Sequence, residues 1–354
     1  MEKKIGVIGS GSFGLTVAQL LAVNGEVILF TRREEVETAI NQNHFLSNIK
    51  LSPRIVATRD IERVCNECNI IFPALPSSAF RKTMQSMSLF LHPYHMLIHA
   101  TKGLDTSHIS PAEFERADFD RRDVNTMSEV ILQETSVIRV GCMSGPNLAK
   151  ELQQGLPAAT VIASEFDEVI KKGQTVLMSK NFTVFGSHDL KGVEIAGAFK
   201  NIIAIASGMS EGMGLGKNMQ ALLITRGLGE LIDFGIALGV TGEAFLGAGG
   251  IGDMVATAFS PNSRNFTFGY RFAKGESLEQ ILSTTDEVVE GVNTLKIIHQ
   301  LAKNSKITLP ITFSLYKVVF EGMDKMLALN HLMGYAYGKD VIYSINRSML
   351  KDAE

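Results

Sequence analysis

Residues 5–33 read "IGVIGSGSFGLTVAQLLAVNGEVILFTRR", and the order of residue types in this stretch decides the fold. An apolar run over 3–9 leads into glycines, a helical pattern follows over 12–24, and a second apolar run occupies 26–32. Two strand-like runs joined by a helix make a βαβ unit, whose strands are parallel because the helix carries the chain back. Gly9, Gly11 and Gly14 stand at the strand-to-helix junction in the spacing G-x-G-x-x-G. Missing side chains there allow a tight turn, close approach of backbone to a pyrophosphate, and close packing of helix on strand. The free N–H groups at the helix start, around Ser12 and Phe13, then face the anion.

The second strand ends in Phe30, Thr31, Arg32 and Arg33. In dinucleotide sites an acid at this place accepts from the ribose 2′-hydroxyl, whereas arginine accommodates a 2′-phosphate. No acid stands at the strand end, and Glu34 and Glu35 fall into the next helix start, where acids suit the dipole. The cofactor expected is NADP or NAD, with NADPH favoured and Arg32 and Arg33 beside its 2′-phosphate.

The alternation continues outward through "RIVAT", "NIIFPAL", "HMLIHAT", "SVIRVGCMSG", "ATVIAS" and "FTVFGS", with helical patterns between several of them. Strands alternating with helices predict a doubly wound, mostly parallel Rossmann-like sheet. After about residue 190 strand signals fade, and apolar residues recur at helical spacing over 193–207, 218–239, 277–282, 291–303 and 310–329. Two domains are expected, 1–190 binding dinucleotide and 191–354 all-helical and carrying substrate and catalysis. "GSHDLKG" (186–192) is the junction. The polar stretch 105–123 reads as an exposed insertion.

A chain of 354 residues exceeds what one core usually supports, which agrees with two domains. The net charge of -3 lacks the basic excess that a nucleic-acid partner needs. Glu194 and Lys200 interrupt one long apolar stretch, and Arg226, Glu230 and Asp233 the next, so neither reaches the ~18 to 20 residues that span a bilayer. The N-terminus makes a poor secretory signal and three cysteines form no disulfide framework, so cytoplasmic residence without membrane insertion is expected.

In the helical half, "GVEIAGAFKNIIAIAS" is apolar nearly all round, with Lys200 in its middle. A buried ammonium is paired or shifted in pKa, and such a lysine is a candidate acid–base group. Glu194 and Asn201 are seven apart and share a face, so Glu194 is expected to orient Asn201, or Asn201 to touch ligand. "SPNSRNFTFG" concentrates Ser263, Arg264 and Asn265, donors suited to a phosphate. Asp253 and Thr257, four apart, share one face of a helix.

Three patterns mislead. "GMGLGKN" lacks the first glycine and the Ser/Thr of a phosphate loop and reads as a helix connection. "CNEC" has no second cysteine pair to complete a zinc site. His92, His95 and His99 cluster, but Pro93 breaks any shared helix and no acidic ligand is near in sequence, so no metal is expected.

The ordered set "GSGSFG", "ATKGLD", "SGPNLAKEL", "GLPAATVIAS", "GVEIAGAFKNIIAIASG", "GLGKNMQALLITRGLGEL", "GAGGIGDMVAT", "NSRNFTFG", "VVEGVNT" and "LPIT" resembles the bacterial-type NAD(P)-dependent glycerol-3-phosphate dehydrogenases from residue 4 to about 330. The resemblance implies reversible reduction of dihydroxyacetone phosphate to sn-glycerol 3-phosphate, a precursor of glycerophospholipids, by a homodimer. It implies that Lys200 is the catalytic lysine, held with substrate by Asp253 and Thr257. Lys102 would lie at both cofactor and substrate, with Gly145, Asn147 and Ala149 lining the same cleft. Arg264 and Asn265, preceded by Ser263, would contact phosphate and cofactor, and Val288 and Glu290 the cofactor. Phe13 stands where the family often has tryptophan, and Asn147 where it has serine or threonine. Two other readings of the same residues are a two-domain hydroxy-acid dehydrogenase and a non-catalytic NADPH-sensing module.

Overall fold

The structure is a computed structural model and describes residues 4–46, 49–116, 118–285 and 287–335; the ends of the two expected domains, 1–3 and 336–354, lie outside the described residues. The apolar runs of the first half form β1 (Lys4–Ile8), β2 (Val27–Phe30), a small hairpin of β3 (Phe45–Leu46) and β4 (Ile49–Lys50), then β5 (Ile55–Thr58), β6 (Cys68–Pro73), β7 (Met96–His99), β8 (Arg139–Ser144), β9 (Ala158–Ser164) and β10 (Phe182–Ser187). Between them run α1 (Ser12–Leu21), α2 (Glu34–Asn43), α3 (Ile61–Glu67), α4 (Ser77–Met87), α5 (Pro111–Phe114), α6 (Met127–Glu134), α7 (Ala149–Gln153) and α8 (Asp167–Leu177).

The main sheet has eight strands in the order β10-β9-β8-β7-β6-β1-β2-β5. Pairing is parallel from β8 across to β5, but β9 runs antiparallel to β8 and carries β10 with it. The mostly parallel sheet therefore ends in two reversed strands. Val7, Ile8 and Leu29 are fully buried, which is why these strands read as continuous apolar runs rather than alternating ones. From β1 the chain goes to β2 on one side and later to β6 on the other. That reversal of winding opens a crevice at the carboxyl ends of β1 and β6, the place where open α/β sheets bind ligands.

β10 ends at Ser187, Asp189 accepts from the Gly192 N–H at 2.9 Å, and α9 (Leu190–Gly212) begins. The rest of the described chain is helical: α10 (Gly216–Ala237), α11 (Asp253–Ala258), α12 (Arg264–Ala273), α13 (Leu278–Ser283), α14 (Glu290–Asn304), α15 (Pro310–Phe320) and α16 (Lys325–Gly334). α9 is buried along nearly its whole length, as its all-round apolar sequence predicts. A Cβ on Gly208 would fall 1.9 Å from the Phe266 carbonyl oxygen, so glycine is what lets α12 lie directly on α9. The helix expected over 310–329 is two helices, because Gly322 takes a left-handed φ of +72° and Asp324 then caps a new start. Among the described residues no helix is long and apolar enough to cross a membrane.

The stretch 105–123 is largely exposed, as its polarity suggests, but two buried residues tie it to the body of the protein. Asp105 is buried against Arg81 at 2.8 Å, and Phe119 is fully buried within the core of the helical half, its ring 4.9 Å from Phe114. Asn304 of α14 donates to the carbonyls of Arg116 and Phe119, both at 3.0 Å. Two aromatic anchors spaced among charged residues make a segment that looks solvated in composition while its apolar members point inward.

Candidate active site

The glycine loop sits at the crevice. Gly9 has φ +114°, and a Cβ there would lie 2.5 Å from the Ala74 carbonyl oxygen after β6. A Cβ on Gly11 would meet nothing within 4 Å except a Glu287 carboxylate oxygen at 3.9 Å, so backbone is open to an approaching ligand. Ser12, the first residue of α1, directs its N–H there, onto Glu287 Oε1 at 3.1 Å, and Phe13 and Gly14 line the same cavity. This open backbone at a helix start fits the pyrophosphate of a dinucleotide. Arg32 and Arg33 are exposed, and Arg33 Nη2 reaches back to the Ser10 carbonyl at 3.4 Å, which puts the arginine pair beside the loop.

Across the crevice, α9 supplies Lys200. Its Nζ donates to Asp253 Oδ1 and to Thr257 Oγ1, both at 2.6 Å. The other carboxylate oxygen, Asp253 Oδ2, takes Lys102 Nζ at 2.5 Å, and Lys102 also donates to the Gly145 carbonyl at 3.0 Å. Asp253 opens α11 directly after a π-helical turn over Ala248–Gly252, and Thr257 follows one turn later. One carboxylate thus serves two cations. Burial lowers the Lys200 pKa to about 7, and the Lys102 charge adds to that against the pull of Asp253. Burial alone would raise the Asp253 carboxyl, but the charges and hydrogen bonds of Lys102 and Lys200 outweigh it and hold it below the usual carboxylate range.

A cavity of about 650 Å³ runs from Gly11 to Lys200 and is lined by most of the residues singled out in the sequence: Lys102, Asn147, Ala149, Asn201, Thr257, Ser263, Arg264, Asn265, Val288 and Glu290. Gly9 lies against Ala74 of that lining, and Gly145 and Asp253 hold Lys102 from behind, whereas Arg32 and Arg33 are exposed outside it. Arg264 Nη1 donates to the Val288 carbonyl at 3.0 Å and pairs with Glu287 Oε2 at 3.2 Å. Ser263 caps α12 by accepting from the Phe266 N–H at 3.3 Å. Asn147 Nδ2 donates to Thr160 Oγ1 at 2.8 Å, while its buried Oδ1 has no partner among the described residues.

One contact adds to the sequence reading and one differs from it. Asn265 donates to Asn201 Oδ1 at 2.8 Å and accepts from the Gly291 N–H at 2.9 Å, so its amide ties α12 to α9 and α14. Asn201 is oriented by that contact and by the Lys102 carbonyl at 3.2 Å, not by Glu194. Seven residues place Glu194 about 10 Å away along the helix axis. Glu194 instead accepts from His99 Nε2 at 2.9 Å and from the Ser128 N–H at 2.8 Å. An acid does therefore lie beside one histidine of the cluster. His95 Nε2, however, contacts the Cys65 carbonyl at 2.8 Å, and among the described residues no three metal-ligating side chains converge. Cys65 and Cys68 are buried at the end of α3, and burial pushes both thiols up to about 12.

Sequence reasoning missed Ser77 and Glu287. Glu290 accepts from Ser77 Oγ at 2.6 Å and Ser77 N at 2.8 Å, a bridge from α14 to the start of α4. Burial raises the Glu290 pKa, and the Ser77 hydrogen bonds only partly offset it. Neither partner has a local signal, because each contact joins residues that meet only across the crevice.

Residues 4–170 match the family described as the NAD-dependent glycerol-3-phosphate dehydrogenase N-terminus, and residues 189–330 match its C-terminus. A glycerol-3-phosphate dehydrogenase [NAD(P)+] of Pseudomonas paraeruginosa is 36% identical over 94% of each chain, and one of Acinetobacter baylyi is 36% identical over 96% of this chain and 92% of its own. The crystal structure of glycerol-3-phosphate dehydrogenase from Coxiella burnetii superposes with a TM-score of 0.83 at 28% identity, covering 94% of this chain and 99% of that one. With the crevice, the paired lysines and both halves of the chain accounted for together, the protein belongs to the NAD-dependent glycerol-3-phosphate dehydrogenase family.

Proposed function

We propose that this enzyme reversibly reduces dihydroxyacetone phosphate to sn-glycerol 3-phosphate with NAD(P)H. The observation that carries the reading is the shared Asp253 carboxylate, which holds Lys102 and Lys200 at one wall of the cofactor crevice. The cofactor supplies a hydride to the carbonyl carbon in one direction and accepts it in the other. Lys200, with a pKa near 7, gives a proton to the carbonyl oxygen as the hydride arrives and takes it back in oxidation. Lys102 adds positive charge beside the same oxygen. Arg264 anchors the phosphate, assisted by Ser263 and Asn265, and that remote contact aligns the carbonyl carbon for transfer. The unpartnered Asn147 Oδ1 is an acceptor available to a substrate hydroxyl.

The family match and the joint presence of Lys102, Lys200 and Asp253 disfavour both the hydroxy-acid dehydrogenase and the non-catalytic sensor. We read residues 1–190 as the dinucleotide-binding domain and 191–354 as the helical substrate domain. Preference for NADPH is inferred from Arg32 and Arg33. A homodimer is inferred from the family likeness. Cytoplasmic action in supply of glycerophospholipid precursor fits three free, buried cysteines.

The test is an absorbance assay of NADPH and NADH oxidation with dihydroxyacetone phosphate and with unphosphorylated dihydroxyacetone. Turnover with the phosphorylated ketone alone is expected. Equal turnover of the two would contradict the phosphate anchor.

A further inference from the structure

Glu287 lies just before α14, in the helical half, yet its carboxylate reaches the start of α1. Oε1 accepts from the Ser12 N–H at 3.1 Å, a contact between residues 275 apart in sequence. Oε2 lies 3.2 Å from Arg264 Nη1. A carboxylate at a helix N-terminus satisfies a free N–H and is favoured by the dipole. These are the interactions that the same N-terminus offers a pyrophosphate. Apart from that one oxygen the space in front of Gly11 is open. Two anions cannot share one seat without losing the hydrogen bond of one of them and bringing like charges together.

We propose that Glu287 is an internal stand-in for the dinucleotide pyrophosphate: its carboxylate holds the glycine loop with one oxygen and Arg264 with the other, and the cofactor displaces it. The enzyme therefore gives up a contact of its own each time it binds cofactor. Displacement also takes from Arg264 its acid partner while the Val288 carbonyl still holds it in place, so the seat of one ligand is tied to the cation awaiting the other. This second consequence rests on the reading of Arg264 as the phosphate anchor; the first does not. NADH and NADPH carry the same pyrophosphate, so Glu287 opposes both alike, unlike Arg32 and Arg33.

The test is equilibrium binding of NADPH and of NADH to the full-length protein without substrate, followed by the fluorescence of the reduced nicotinamide. Glu287→Gln keeps the shape and removes the charge, and Glu287→Ala removes the contact. The Glu287 side chain is 36% exposed, so both variants are expected to fold. Each should bind both cofactors tighter by about tenfold, the scale of one charge-assisted hydrogen bond. Unchanged or weaker binding overturns the proposal, as does tightening of NADPH alone, which would place the effect at the 2′-phosphate. Because no ketone is present, this outcome is independent of whether dihydroxyacetone phosphate is turned over.

Discussion

Lys200 Nζ lies 2.6 Å from Asp253 Oδ1, in the middle of a helix whose other buried positions are mostly apolar. The ion pair keeps a lysine charged that burial alone would neutralise more fully, and leaves its pKa at about 7. A group poised there can both give and take a proton under ordinary conditions.

The pH dependence follows with opposite signs in the two directions. Reduction needs protonated Lys200, so its kcat/KM should fall as pH rises through about 7; oxidation needs the neutral amine and should rise over the same interval. The stability sign is separate. A lysine whose folded value is lowered from 10.5 costs stability at and below about pH 7, and the cost fades as pH rises toward 10.5. Initial rates in both directions across pH 5.5 to 9 (roughly the range spanned by such a group) check the first statement; parallel profiles would contradict it.

Arg32 and Arg33 stand exposed beside the glycine loop. Replacing both with serine should weaken NADPH more than NADH, by about 1 to 3 kcal/mol if charge-assisted hydrogen bonds to the 2′-phosphate are lost. Dissociation constants for the two cofactors decide this. An equal loss for both would assign the arginines to the loop itself.

Phe119 is fully buried although its surroundings in sequence are charged. Phe119→Ala should cost about 3 to 5 kcal/mol in chemical denaturation, the range for a large core aromatic. A solvent-exposed insertion would tolerate the change within about 0.5 kcal/mol.

Much of this fold was legible because its signals are local. The glycine spacing, the apolar runs and the all-round apolar character of α9 each report on neighbours in the chain, and the βαβ unit makes β1 and β2 parallel, whereas the place of β6 on the other side of β1 is set by tertiary pairing. The reversal of β9 and β10 was not legible, since a buried strand has the same composition in either direction. The break before α16 was signalled by Gly322 and Asp324 but hidden inside a continuous helical period. At the site, Lys200, Asp253 and Thr257 could be chosen by burial and spacing, whereas the partner of Asn201 could not. Asn265, Glu287 and Ser77 meet their partners only through tertiary contacts, which no periodicity records.

The most direct measurement is the turnover of Lys200→Met with dihydroxyacetone phosphate and NADPH. Methionine keeps the length and apolar stem of lysine while deleting the proton, and Asp253 retains Lys102 as its cation. With Lys200 as the general acid, kcat should fall by about 10² to 10⁴ while NADPH affinity is retained and the thermal midpoint does not fall. Normal turnover in the folded variant would contradict the assignment of Lys200 and, with it, the mechanism built on the shared carboxylate.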